Sequence, residues 1–130
     1  MNEAKFEVIV FGATSFVGQI LCRYMVQQYG VNQDVHWAIA GRSQAKLDQV
    51  RKDLGKAADQ LTTIVADAGD LPALKSMCEQ TQVILSTVGP YALYGEPLVQ
   101  ACVETGTDYC DLTGELQWIR AMLDKYENQA

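Results

Sequence analysis

Five short apolar runs alternate with helical patterns along almost the whole chain, and this alternation limits the fold more than any other feature. The runs are residues 6–11, 35–40, 61–67, 83–88 and 108–112. After each of them the apolar residues recur every three or four positions, which predicts a helix. Strict alternation of strands and helices predicts an α/β fold, namely a doubly wound parallel sheet covered on both faces, with strand order 3-2-1-4-5.

Capping residues predict where several helices begin and end. Ser43 is suited to cap the helix over residues 44–54, and Asp70 to cap a short helix with Pro72 in its first turn. Gly106 ends a helix that Pro97 begins, and residues 115–126 form the last one.

The first helix should bury one face, since its apolar residues come in pairs one turn apart. These pairs are Phe16 and Val17, Ile20 and Leu21, and Tyr24 and Met25.

Composition excludes several classes of protein. A chain of 130 residues makes a single domain, and its net charge of -6, with ten scattered Lys and Arg residues, argues against a nucleic-acid surface. No apolar run approaches the roughly 20 residues needed to cross a bilayer, and no signal region opens the chain, so a cytoplasmic protein is expected.

The four cysteines have neither metal-ligand nor C-x-x-C spacing. We therefore expect reduced thiols in the core and no metal site. The last helix runs directly into "KYENQA", which indicates either a frayed terminus or the N-terminal domain of a longer protein.

The loop after the first strand favours an anion. It carries Gly12, Ser15 and Gly18, and the helix that follows has amide N–H groups without internal partners. Gly12 permits a tight turn and Gly18 lets helix and strand pack closely. Ser15 stands where such Rossmann loops usually have glycine, and its hydroxyl could donate to a phosphate oxygen; a purely structural glycine turn is the alternative.

The end of the second strand favours NADP over NAD. NAD-binding domains place an acidic residue near this point to bind the ribose hydroxyls, but this chain has Gly41, Arg42 and Ser43 there and no acid before Asp48. Arg42 can pair with a 2′-phosphate, and Ser43 can donate a second hydrogen bond. An arginine that is merely solvated is the alternative.

Two further loops belong to the same edge of the predicted sheet. Asp67 is placed to meet an adenine edge, or else forms a plain Asx turn. After the fourth strand, Gly89 and Pro90 fix the backbone, while Tyr91 and Tyr94 offer rings and hydroxyls towards the nicotinamide half of a cleft; packing at a domain interface is the alternative.

The sequence does not support three other catalytic interpretations. No Tyr-x-x-x-Lys pair of short-chain dehydrogenases exists, and the glycine loop lacks the Gly-Lys-Ser/Thr of a P-loop. The only histidine, His36, lies at the start of the second strand, away from the edge where a catalytic base would stand.

Three segments together resemble a known family: "VIVFGATSFVGQIL", "WAIAGRSQAKL" and "TVGPYALYGEPLVQACVETGTDYCDLTGE". They are similar to the N-terminal cofactor domain of saccharopine dehydrogenase-like oxidoreductases, a group that includes mycobacterial trans-acting enoyl reductases. The likeness extends over residues 6–126. It implies a nicotinamide-dependent oxidoreductase that continues into a substrate-binding and dimerising domain.

The resemblance also implies a set of cofactor contacts, while no catalytic residue can be carried over. The residues it assigns to the cofactor are Gly12, Ala13, Thr14, Ser15, Phe16, Val17, Gly41, Arg42, Ser43, Asp67, Val88, Gly89, Pro90 and Tyr91. The turn of residues 113–115 would face the nicotinamide side.

The sequence thus predicts the NADP-binding domain of an oxidoreductase that moves hydride between a nicotinamide and an organic substrate. A non-catalytic module that senses NADP or binds a partner protein, and a purely structural flavodoxin-like domain, remain as alternatives.

Overall fold

The computed structural model describes residues 4–130, in which five strands form one parallel sheet. The strands are β1 (Phe6–Phe11), β2 (Trp37–Gly41), β3 (Thr62–Val65), β4 (Thr81–Ser86) and β5 (Asp108–Asp111). Their order is β3-β2-β1-β4-β5, and every neighbouring pair is parallel. The predicted fold class and strand order are confirmed.

Helices connect the strands at the predicted places, with one addition. They are α1 (Phe16–Tyr29), α2 (Gln44–Asp53), α3 (Leu71–Cys78), α4 (Tyr91–Tyr94), α5 (Glu96–Thr105) and α6 (Leu116–Tyr126), and residues Lys56–Ala58 form a 3₁₀ turn. The predicted caps are confirmed: the side chains of Ser43 and Asp70 each accept a first-turn N–H, and Gly106 ends α5 in the left-handed conformation. The short α4 was not predicted from the sequence.

The bounds of β2 to β5 differ from the apolar runs by up to two residues. β4 begins at Thr81 because this residue pairs with Phe6 at the start of β1, although the β-branched run starts only at Val83. β3 ends at Val65, paired with Gly41, so Asp67 lies in the loop beyond the strand. Pairing with the neighbouring strand, rather than local composition, sets these bounds.

Helices cover both faces of the sheet and create two apolar cores. On one face α1 and α2 pack over Val10, Trp37 and Ile39. On the other, α3 and α5 pack over residues such as Ile9 and Ile84. Full burial of a large apolar side chain stabilises the fold by about 1.5–3 kcal/mol. Because both helical layers bury such side chains against the sheet, they stabilise the sheet and with it the position of its carboxyl edge.

The buried face of α1 differs from the prediction. Gly18, Cys22 and Met25 face the sheet, whereas Phe16 is 80% exposed and Tyr24 51% exposed. Gly18 explains the rotation, because a helix approaches a strand most closely on its glycine side, and there the missing side chain leaves room for the loop after β1. Met25 is therefore buried as predicted and Leu21 packs partly against the core, whereas Phe16, Val17, Ile20 and Tyr24 face outwards, contrary to the prediction.

Cys110 also departs from the expected core position. All four cysteines are free thiols, but only Cys22, Cys78 and Cys102 are buried, while Cys110 is exposed. It lies on the edge strand β5, on the face opposite its neighbour Tyr109, which packs against the α3 and α5 layer. A side chain at the sheet's edge lacks a second neighbouring strand to cover it.

Crossing a bilayer requires a long apolar helix, and none of the helices in the described part of the chain meets that requirement.

Candidate functional site

A cavity of about 500 Å³ opens at the carboxyl edge of the sheet. It lies where the strand order reverses between β1 and β4, which is the position where open parallel sheets bind ligands. Its walls are Phe11, Gly12, Thr14, Ser15, Gly41, Arg42, Ala66, Asp67, Ala68, Gly69, Thr87, Val88, Gly89 and Tyr94. The structure thus brings together residues from all four loops that the sequence pointed to.

The β1 loop has its shape because two glycines leave space for it. Gly12 has φ +85°, and a Cβ there would lie 2.6 Å from Val88 Cγ2 and 2.7 Å from Thr87 Oγ1. A Cβ on Gly18 would overlap the carbonyl oxygen of Gly12. Both predicted roles are confirmed: Gly12 makes the turn, and Gly18 brings α1 close to it.

Two amide groups at the start of α1 remain available to a ligand. The Gly18 N–H donates to Ser15 Oγ (3.0 Å), and the Gln19 N–H to the Ser15 carbonyl (2.9 Å). The N–H groups of Phe16 and Val17 have no intrahelical acceptor by position, and no other group of residues 4–130 bonds them. Free amides at the positive end of a helix dipole attract an anion.

Ser15 is held within the loop itself. Besides capping α1, its hydroxyl donates to the Gly12 carbonyl (2.9 Å). It also lies 3.1 Å from the hydroxyl of Thr87, which bonds the same carbonyl at 2.8 Å. A direct bond from Ser15 to a phosphate stays a prediction; the observed role of this side chain is to shape the loop. Ala13 is buried, and its N–H donates a hydrogen bond to the Ala40 carbonyl.

Thr87 was missed at the sequence level. Its hydroxyl joins the β4 loop to the β1 loop, and it lines the cavity. The threonine stands in the segment "STVGP", which the sequence did single out. The two carbonyls that its hydroxyl bonds lie 75 and 76 residues earlier in the chain, so no local pattern indicates the contact.

Arg42 is an exposed side chain on the cavity wall beyond β2. None of the ion pairs among residues 4–130 involves it. The nearest acid in sequence, Asp48, accepts from Gln44 (2.9 Å) and Arg51 (3.3 Å) within α2. The end of β2 therefore presents a cation that forms no ion pair within residues 4–130, an arrangement that suits an anionic ligand.

Asp67 forms the predicted Asx turn and also lines the cavity. Its Oδ1 accepts from the Gly69 N–H at 2.8 Å. This turn is the alternative that the sequence left open, and it does not prevent a contact with a ligand in the cavity. The contact with an adenine stays a prediction.

The structure corrects the position expected for the ring of Tyr91. The side chain is only 6% exposed, and its hydroxyl donates to the Ser86 carbonyl (3.1 Å) and accepts from the Leu112 N–H (3.3 Å). Burial raises the pKa of Tyr91, and the carboxylates of Asp111 and Glu115 add to the rise. The ring packs 5.4 Å from that of Trp118, so a contact between Tyr91 and a cofactor stays a prediction.

Tyr94 and the segment before Tyr91 do line the cavity. Val88 and Gly89 form its wall beside β4, and the Gly89–Pro90 peptide bond is cis. Tyr94 is 49% exposed on the same wall, as predicted. The β4 side of the cavity thus offers one tyrosine ring rather than the expected two.

A second cavity of about 650 Å³ lies between β5, α5 and α6. It is lined mainly by apolar side chains, and Thr113 of the turn over residues 113–115 lies here rather than on the cavity between β1 and β4. Among residues 4–130 no group of three His, Cys, Asp or Glu side chains is placed to hold a metal ion.

Comparison with known proteins agrees with this geometry. Residues 8–130 match the family model described as the saccharopine dehydrogenase NADP binding domain. The chain is 44% identical to a trans-acting enoyl reductase of Mycobacterium ulcerans (strain Agy99), over 98% of this chain and 30% of the relative. A trans-acting enoyl reductase of Mycobacterium leprae (strain TN) is 42% identical, over 99% of this chain and 30% of the relative.

Solved structures share the fold at low sequence identity. Saccharopine dehydrogenase (L-Glu forming) from Saccharomyces cerevisiae aligns with a TM-score of 0.67 and 20% identity, covering 91% of this chain and 24% of the enzyme. A short-chain dehydrogenase/reductase from Veillonella parvula, solved in complex with NADP, aligns with a TM-score of 0.62 and 13% identity, covering 95% of this chain and 61% of the other.

The chain spans about 30% of the length of these mycobacterial relatives. The family model nevertheless covers the chain from Val8 to its last residue, and the strand order and the glycine loop described above are those of a dinucleotide-binding domain. This chain belongs to the family of saccharopine dehydrogenase NADP-binding domains.

Proposed function

We propose that the chain binds NADP or NADPH in the cavity between β1 and β4 and serves as the cofactor domain of an oxidoreductase. The observation that carries this proposal is the placement of Arg42, which forms no ion pair within residues 4–130, on the same cavity as Thr14 and Ser15, the loop residues that directly precede the two free amides of α1. A 2′-phosphorylated dinucleotide carries anionic groups at both points.

Each predicted contact has a role under this proposal. Phe16 and Val17 offer their amides to the pyrophosphate, in a loop shaped by Gly12, Ala13, Thr14 and Ser15. Arg42 and the hydroxyl of Ser43, at the turn after Gly41, hold the 2′-phosphate. Asp67 meets the adenine, while Val88, Gly89, Pro90 and Tyr91 form the nicotinamide side.

When bound, the nicotinamide supplies hydride transfer, and the protein supplies binding and orientation. The names of the mycobacterial relatives favour an enoyl compound as the organic substrate of the whole protein. Since the chain spans about 30% of those relatives, we propose that it is the N-terminal domain of a longer chain. The remaining part would bind the substrate, and a homodimer and a cytoplasmic location stay predictions.

Calorimetric titration with NADPH and NADH tests the cofactor assignment. NADPH should bind more tightly, because a charge-assisted bond from Arg42 to the 2′-phosphate contributes about 1.5–3 kcal/mol. Equal affinities, or binding of neither dinucleotide at millimolar concentration, would refute the proposal.

Replacing the arginine isolates its contribution. Arg42→Ala should weaken NADPH binding roughly 10- to 100-fold and leave NADH binding unchanged. Arg120→Ala is the matched control, since it removes the same charge from an exposed position on α6 outside the cavity. A loss of NADH affinity as large as the loss of NADPH affinity would show that Arg42 does not read the 2′-phosphate.

A further inference from the structure

Glu115 holds the wall of the cavity from outside it. Its carboxylate accepts from the backbone N–H of Tyr91 (2.7 Å) and from that of Ala92 (3.0 Å). These are the first two residues of α4, a helix that no local side chain caps. A residue 23 and 24 positions later in the chain therefore satisfies the amides that α4 leaves free.

The backbone of Glu115 is itself held in place by the turn after β5. The Glu115 N–H donates to Thr113 Oγ1 (3.0 Å), and the Thr113 N–H donates to Asp111 Oδ1 (2.9 Å). The end of β5 is thus connected to the start of α4 through consecutive hydrogen bonds.

The segment fixed in this way carries the β4 wall of the cavity. Val88 and Gly89 lie just before α4, and Tyr94 is the last residue of α4; all three line the cavity. Glu115 is not among the lining residues. Its effect on a ligand must therefore pass through the backbone that it holds.

We propose that Glu115 is the positioning residue of this wall: by holding the amides of Tyr91 and Ala92, it sets the affinity for the nicotinamide end of the dinucleotide without touching it. The inference rests on the proposed function. It concerns one half of the cavity only, because Arg42 and Asp67 in the β2 and β3 loops share no hydrogen bond with Glu115, Thr113 or Asp111.

Glu115→Gln is the sharpest variant. The side chain keeps its size, but one acceptor oxygen becomes an NH₂ group facing a backbone N–H, so at least one of the two bonds is lost. Glu79→Gln is the matched control, because it removes one negative charge from an exposed residue that ends α3. Both variants change the net charge of the protein by the same amount.

Two probes separate the halves of the cavity. NADPH occupies both, while adenosine 2′,5′-bisphosphate carries the adenosine with its 2′- and 5′-phosphates and lacks the nicotinamide half. We expect Glu115→Gln to weaken NADPH binding about tenfold and to leave adenosine bisphosphate binding within about twofold of wild type. Glu115→Asp, which keeps both acceptor oxygens, should recover part of the NADPH affinity, and it takes the place of the Gln variant if that one does not fold.

Three results would overturn the proposal. Unchanged NADPH affinity in Glu115→Gln would show that the wall does not depend on this carboxylate, and equal weakening of both probes would show a general effect on folding. The third readout needs no ligand: amide hydrogen exchange at Tyr91 and Ala92 must become faster in Glu115→Gln than in Glu79→Gln. If wild type binds neither probe while exchange responds as expected, the proposed function fails and the contact of Glu115 with α4 stands.

Discussion

The two halves of the cavity are built on different principles. On the side of β2 and β3, single side chains at turns line the cavity, and Arg42 forms no ion pair there within the described residues. On the side of β4, the wall is formed largely by the backbone before α4, which includes the cis Gly89–Pro90 bond. The buried Tyr91 and Glu115 hold this backbone in place. One half can therefore change its selectivity by one substitution, whereas the other owes its shape to several residues at once.

The largest effect should come from Gly12, where the two halves meet. Gly12→Ala places a methyl group against Val88 and Thr87 of the β4 wall and forces alanine into φ +85°. We expect a loss of about 2–5 kcal/mol in the free energy of unfolding, measured by urea denaturation, from backbone strain and overpacking together.

Gly55→Ala separates strain from overlap. Gly55 has φ +90° and ψ −172°, and an added Cβ would meet nothing within 4 Å, so this variant should lose only the strain energy of about 1–3 kcal/mol. Equal losses in the two variants would mean that the β1 and β4 loops can move apart, and that the halves are less tightly joined than the structure indicates.

A smaller effect should follow Tyr91→Phe, which tests how firmly the β4 wall is held. Without the hydroxyl, the Leu112 N–H and the Ser86 carbonyl lose a buried partner, at a cost of about 1–3 kcal/mol in the free energy of unfolding. Tyr94→Phe, which removes an exposed hydroxyl, should change it by less than about 0.5 kcal/mol. Similar values for both would show that Tyr91 contributes only its ring.

The smallest effect is a dependence on alkaline pH that arises beside the β4 wall. Burial raises the pKa of Tyr109, and its hydrogen bond to Asp111 adds to the rise. Because the folded pKa is raised, the contribution of Tyr109 to stability is complete below the ordinary tyrosine value of 10.0. It is lost as the pH rises above that value, where the unfolded chain ionises first.

Tyr109→Phe should therefore flatten the decline in stability above pH 10. At about pH 11 wild type should have lost about 1 kcal/mol more of its free energy of unfolding than the variant, relative to neutral pH. Parallel curves for the two proteins would mean that Tyr109 ionises as readily in the fold as in the unfolded chain.

The same contrast explains what the sequence could predict. The fold, its strand order and the caps at Ser43 and Asp70 follow from periodicity and from local hydrogen bonds, and Arg42 was identified because its turn is local. The short helix α4 and the burial of Tyr91 depend on Glu115 and Leu112, which lie more than 20 residues away. Which face of α1 points outwards depends on how closely Gly18 approaches the loop after β1. Helical periodicity shows which residues share a face, but it does not predict that distance.

The hydroxyl of Thr87 determines when the site can form during synthesis. The β1 loop has its final shape only with Thr87 on the carbonyls of Phe11 and Gly12, 76 and 75 residues earlier. A nascent chain that has extended only through β3 therefore carries the glycine loop without the residue that sets it. The ability to bind a dinucleotide should arise only after β4 has left the ribosome and paired with β1.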